Sequence, residues 1–160
     1  MDYRAARARA HDAEHQLHLT EPVTLGSVHR HLEAVRGKKI IIQPMKGTPT
    51  DKVCGLWFGL DDMDLILHAG AASEVHRQQI ILHEFSHMIL QHEQEEVSRD
   101  EALTFFPDLD TDRVVTALKR TDFLDEFEVT AELLADRLAA RIRASQKTGQ
   151  QPRNFGAVFG

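Results

Sequence analysis

The stretch Leu82-His83-Glu84-Phe85-Ser86-His87-Met88-Ile89-Leu90 decides how this chain is read. It lies in a segment, Glu74 to about Gln94, that holds neither glycine nor proline and is predicted as one helix. At about 100° per residue, Ile81, Phe85 and Met88 share one side while Ile80 and Leu90 lie on the other. A helix that is apolar nearly all round belongs in the interior, and polar side chains within it need partners. His83 and His87 stand one turn apart on one face, so both imidazoles can reach a single metal ion. Glu84, offset by one residue, comes to the side where a bound water would sit. This is HExxH spacing, with two ligands and a general base from one turn. A chain of this composition holds about 0.05 such matches by chance. The plainer alternative is a pair of satisfied core histidines beside a partly exposed glutamate.

A catalytic zinc takes three protein ligands and keeps one position open. The third is expected from the helix predicted from residue 122 onward, whose apolar stripe runs through Phe127, Ala131, Leu134, Leu138 and Ile142. Glu128 lies about 80° and Glu132 about 120° from the centre of that stripe, with Asp136 one turn further. Ala131, Ala135 and Ala139 beside them let two helices approach closely. Glu128, nearer the buried face, is preferred as the ligand, and Glu132 stays open as the alternative. Both glutamates could also simply belong to the polar border of an amphipathic helix.

Outward from these two helices, residues 3–17 read as a short helix, and a second is capped by Thr24 and closed by Gly37. "KKIIIQP" is a short buried strand ending at Pro44, and residues 45–52 are loop. "VCGLWFGL" and "LILHA" flank the acidic turn "DDMD" as a β-hairpin, with Cys54 and Trp57 as packing residues. The charges at Glu93, Glu95, Glu96, Arg99, Asp100 and Glu101 read as a solvated linker. A loop and a short helix capped near Asp110 or Thr111 follow. Residues 144–160 are polar and glycine-rich and are expected to be a flexible tail behind a single domain of residues 1–143.

Composition narrows the function classes. Hydrophobic residues at 42% and charged residues at 28% describe a chain with a real core, of an α+β type given the elements above. A formal net charge of -6 disfavours general nucleic-acid binding, which needs a basic face. No apolar run is long enough to span a bilayer, the first residues lack the apolar core of a secretory signal, and one cysteine permits no internal disulfide. A cytoplasmic location is the expectation.

The order of elements, with HExxH at His83, Glu84 and His87 and a following ExxA[ND]xxA-like helix, resembles the ImmA/IrrE family of zinc metallopeptidases. The series "CGLWFGL", "HEFSHMILQHE", "FFPDLD" and "AELLA" is similar to the variant common in actinobacterial genomes, over roughly residues 20–143. The resemblance implies a zincin-like α+β domain, in which a small sheet with a hairpin packs on the buried HExxH helix and a second helix brings the third ligand. The second motif fits in two registers. Glu128, Ala131, Glu132 and Ala135 give one, with glutamate where the family has asparagine or aspartate. Glu132, Ala135, Asp136 and Ala139 give the other. In the first, Glu132 orients a metal-bound histidine; in the second, Asp136 does.

What the resemblance implies is one zinc per chain and a water-mediated endopeptidase reaction with Glu84 as general base. The substrate would be a protein, typically a partner helix-turn-helix transcriptional repressor, lying extended along an edge of the hairpin sheet. Two other readings are a zinc-holding regulator that binds a repressor without cutting it and a hydrolase of a small amide. Among the remaining histidines, His68 on the second hairpin strand is a possible cleft residue or an ordinary half-exposed strand histidine, His76 a surface or rim residue, and His92 a helix-end residue favoured by the macrodipole. Tyr3 is too near the start to serve as an oxyanion donor, and Arg137 is one substitute.

Overall fold

The computed structural model describes residues 2–45, 55–70, 73–110, 112–118 and 124–159, the last segment with side chains from 126 to 147. The expected loop at 46–52, Cys54 and a cap at Thr111 lie outside the described residues. The elements run α1 (Tyr3–Gln16), α2 (Leu25–Arg36), β1 (Lys39–Pro44), β2 (Gly55–Gly59), β3 (Met63–His68), α3 (Glu74–Ile89), β4 (Gln94–Glu96), α4 (Arg99–Phe105), β5 (Thr116–Leu118) and α5 (Leu124–Phe159). This is an α+β arrangement with a five-stranded sheet of order β1-β3-β2-β5-β4. β1 runs parallel to β3, and every other neighbouring pair is antiparallel. No helix among the described residues is long and apolar enough to cross a membrane.

Local chemistry explains most boundaries. Thr24 and Ser27 form a reciprocal capping box at 2.9 Å each way, and Gly37 closes α2 at φ 70°, a conformation that favours glycine. β2 and β3 form the expected hairpin, but the turn is confined to Leu60–Asp62, since Met63 and Asp64 already belong to β3. Asp64 is fully buried and held by Arg36 (2.5 and 3.1 Å) and by Trp57 Nε1 (3.0 Å). A buried carboxylate needs that partnership.

α3 is the centre of the molecule, as its apolar circumference requires. It touches α2, β2, β3 and α5, and Ile81, Leu82 and Phe85 are completely buried. One core joins it to Ile40, Trp57 and Ile66 of the sheet and to Leu134, Leu138 and Ile142 of α5. A second, on the other face of the sheet, gathers Phe58, Leu60, Leu65 and Leu67 under Ala102 of α4 and Val115.

Three expectations are corrected. α3 stops at Ile89 rather than near Gln94, because Gln91 takes a left-handed conformation (φ 56°) and turns the chain. The charged segment after it is not a plain linker: Gln94–Glu96 is a strand and Arg99–Phe105 a helix capped by Ser98. The short helix expected after residue 111 is instead strand β5, whose β-branched neighbourhood (Val114, Val115, Thr116) pairs between β2 and β4. Among the described residues the hairpin strands are interior and β1 and β4 are the outer strands of the sheet. α5 runs through residue 143 without a break, and Ser145 is buried with its hydroxyl accepting from Val23 N–H at 2.8 Å.

Candidate metal centre

Each site side chain is placed by an element whose sequence explains its position. His83 and His87 project from one face of α3, with ring nitrogens Nε2 3.1 Å apart. Glu128, in the first turns of α5, brings Oε2 to 2.9 Å from His83 Nε2 and Oε1 to 3.1 Å from His87 Nε2. The alanines expected to allow close approach are buried at Ala131, Ala135 and Ala139. A tetrahedral zinc with bonds near 2.0–2.1 Å has ligand atoms about 3.3 Å apart. The Nε2–Nε2 separation of 3.1 Å is close to that length, each Glu128 oxygen lies at a similar distance from one of the rings, and the donor set of two imidazoles and a carboxylate suits such an ion. His83, His87 and Glu128 could therefore hold a metal ion.

The surrounding contacts separate the two glutamates. Glu132 Oε2 lies 2.7 Å from His83 Nδ1, the ring nitrogen turned away from the cluster. A ring that offers Nε2 to a metal carries its proton on Nδ1, and Glu132 is placed to accept it. Gln79 donates to Glu132 Oε1 and to Asp136 Oδ1, both at 2.9 Å. Asp136 thus touches the site only through Gln79. Gln79 escaped the sequence reading, although its spacing four residues before His83 puts it on the same helical face.

Glu84 is buried beside Gly55 of β2, where a Cβ would come within 3.1 Å of Glu84 Oε1 and 2.6 Å of Ile80 Cγ2. Burial raises its affinity for a proton above that of an ordinary carboxylate, while the charges of His87 and His83 pull the other way. Burial disfavours the charged ring of His83, but its hydrogen bonds to Glu128 and Glu132 and the charge of Glu84 dominate and push it up to about 10. Burial works against ionised Glu128 too, and the hydrogen bonds from His83 and His87 overcome it and hold the carboxyl well below its usual range. The His83 hydrogen bond lowers Glu132 likewise.

These residues open on a cleft of about 1700 Å³ lined by His83, Glu84, Glu128 and Glu132 together with Gly55, Leu56 and Phe106. His76 is exposed and lines the cleft as a rim residue. His68 does not line it: the ring is buried at the end of β3 with Nδ1 3.0 Å from the Ala69 carbonyl. Arg137 is engaged with Glu14 at 2.7 Å, which removes it as an oxyanion donor.

His92 is more than a helix-end residue. Its Nδ1 lies 2.8 Å from His87 Nδ1, and its ring stacks on Phe127 at 4.3 Å between centroids. Burial and the nearby His87 charge push it down to about 4. Comparisons with known protein families, with curated proteins and with solved structures gave no match to this chain.

Proposed function

We propose that this chain is a cytoplasmic zinc-dependent endopeptidase of ImmA/IrrE type, cutting a partner helix-turn-helix transcriptional repressor. One observation carries the zinc-hydrolase reading: the two Nε2 atoms lie 3.1 Å apart and face the Glu128 carboxylate, one oxygen to each ring at 2.9 and 3.1 Å, beside a buried glutamate that is not part of the group. A site built only to hold an ion has no use for a carboxylate kept at its flank. The resemblance of the sequence motifs supports the family and the repressor.

Bound zinc supplies a Lewis acid for the scissile carbonyl and makes water acidic enough to ionise near neutrality. Glu84 takes the proton of the attacking water and returns it to the leaving amine, a role that its burial suits by raising its proton affinity above that of an ordinary carboxylate. Glu132 would hold His83 in the ring orientation that leaves Nε2 facing Glu128 and His87, where an ion would be ligated. The substrate lies extended in the cleft that Gly55 and Leu56 line together with His83 and Glu84.

The test is elemental analysis of the purified protein together with incubation against the repressor encoded beside it, read by mass spectrometry. Stoichiometric zinc and discrete repressor fragments are expected. Tight repressor binding with zinc present and no fragments would favour the non-cleaving regulator, and salt-sensitive binding to DNA would overturn both.

A further inference from the structure

The contact between His87 and His92 is built by a strained turn. α3 ends in a Schellman arrangement: Gln91 N–H donates to Met88 O and His92 N–H to His87 O, each at 3.0 Å. The residue that must adopt the left-handed conformation is Gln91, at φ 56°, where glycine is the ordinary choice. The turn folds the chain back so that the His92 ring lies between the end of α3 and Phe127, the neighbour of Glu128 on α5. Nothing in the sequence spacing signals this, since His92 is five residues past His87 and off its face in a continuous helix.

Two imidazole nitrogens 2.8 Å apart share one proton. His87 is almost completely buried and directs Nε2 at Glu128 and His83. If Nε2 ligates a metal, that nitrogen carries no proton and the ring's hydrogen sits on Nδ1. The acceptor for it is then His92 Nδ1, with the His92 hydrogen on its own Nε2. The opposite arrangement, His92 donating, would put the His87 hydrogen on Nε2 and close that nitrogen to a metal.

We propose that His92 is a positioning residue of the metal centre: it accepts the His87 Nδ1–H and so fixes the tautomer and ring orientation in which His87 can ligate. It does for His87 what Glu132 does for His83, with a neutral ring in place of a carboxylate. The inference rests on the metal-site reading above, and the following measurements keep the two apart.

Zinc affinity is measured by competition with a chromophoric chelator for the parental protein, His92→Phe and His92→Asn, with the melting temperature of each metal-free protein alongside. Phenylalanine keeps the stack on Phe127 but offers no acceptor. Asparagine places an amide oxygen close to where Nδ1 stood. His92→Phe should lose about 10- to 100-fold in zinc affinity, and His92→Asn should recover most of it. In the zinc-loaded parental protein with ¹⁵N-labelled histidine, the His87 Nδ1–H should give a slowly exchanging resonance that is lost in His92→Phe. Parental affinity in His92→Phe would overturn the proposal and leave the zinc site standing. Equal losses in both variants would assign His92 a packing role instead and also overturn it. A parental protein that binds no zinc would remove the metal-site reading and this inference with it.

Discussion

At the residue scale, the two carboxylates nearest the imidazoles differ in what they touch, and so in what their loss should do. Glu128 faces the Nε2 atoms of both histidines, whereas Glu132 faces only the outer nitrogen of His83. Glu128→Ala should therefore abolish stoichiometric zinc binding, and Glu132→Ala should weaken it by about 10- to 100-fold. Asp136→Ala, one hydrogen bond further out through Gln79, should do least. Zinc titration of the three variants checks the order; a reversed order of the two glutamates would restore the alternative register. Glu84 separates chemistry from binding. Glu84→Gln should keep the fold and the zinc but lose cleavage, because an amide cannot take up the water proton. Cleavage by that variant at the parental rate would show that the base is another group.

At the element scale, the site depends on how closely β2 lies against α3. At Gly55 the strand leaves no room for a side chain, and the atom a methyl would meet first, Ile80 Cγ2 at 2.6 Å, belongs to a stiff β-branched side chain. Gly55→Ala should destabilise the protein by about 1–3 kcal/mol through overpacking and should disturb Glu84, which lies next in its path. Chemical unfolding of the metal-free protein measures this, and an unchanged midpoint would mean that the strand yields easily. The elements that place the site were legible because each carries a periodic signal: the all-apolar α3, the stripe of α5 and the hairpin. The charged segment after α3 was legible only in part. Glu95, Glu96 and Asp100 are exposed as their charge implies, but solvated side chains do not prevent regular backbone. The Ser98-to-Glu101 capping pattern was there to be read, whereas three-residue strands β4 and β5 carry no alternation long enough to detect. His92 could not be placed from spacing, because the turn at Gln91 that brings it to His87 defies the ordinary preference of glutamine.

At the scale of the whole molecule, the candidate metal centre links α3 to α5 across a sequence separation of 45 residues between His83 and Glu128. Without an ion, a proton on His83 makes that tie, since the ring is pushed up to about 10 by Glu128 and Glu132 against the opposing effect of burial. A histidine whose folded value exceeds its ordinary 6.5 stabilises the fold fully below about pH 6.5 and loses that contribution as pH rises toward 10. Zinc must displace the same proton, so its affinity moves the other way and gains up to about tenfold per pH unit across the window. The metal-free protein is therefore expected to melt at progressively lower temperature from pH 6.5 to 9, while the zinc-loaded protein holds its melting temperature over that range. His83→Gln serves as the control: it cannot carry the proton, so the difference between parental and variant metal-free proteins isolates this group from other ionisations. Calorimetric titration in buffers of different ionisation enthalpy should show proton release on zinc binding at pH 7.5. A parental-minus-variant difference that stays flat from pH 6.5 to 9, with no proton released, would mean that His83 is already neutral and that the two helices are joined by packing alone.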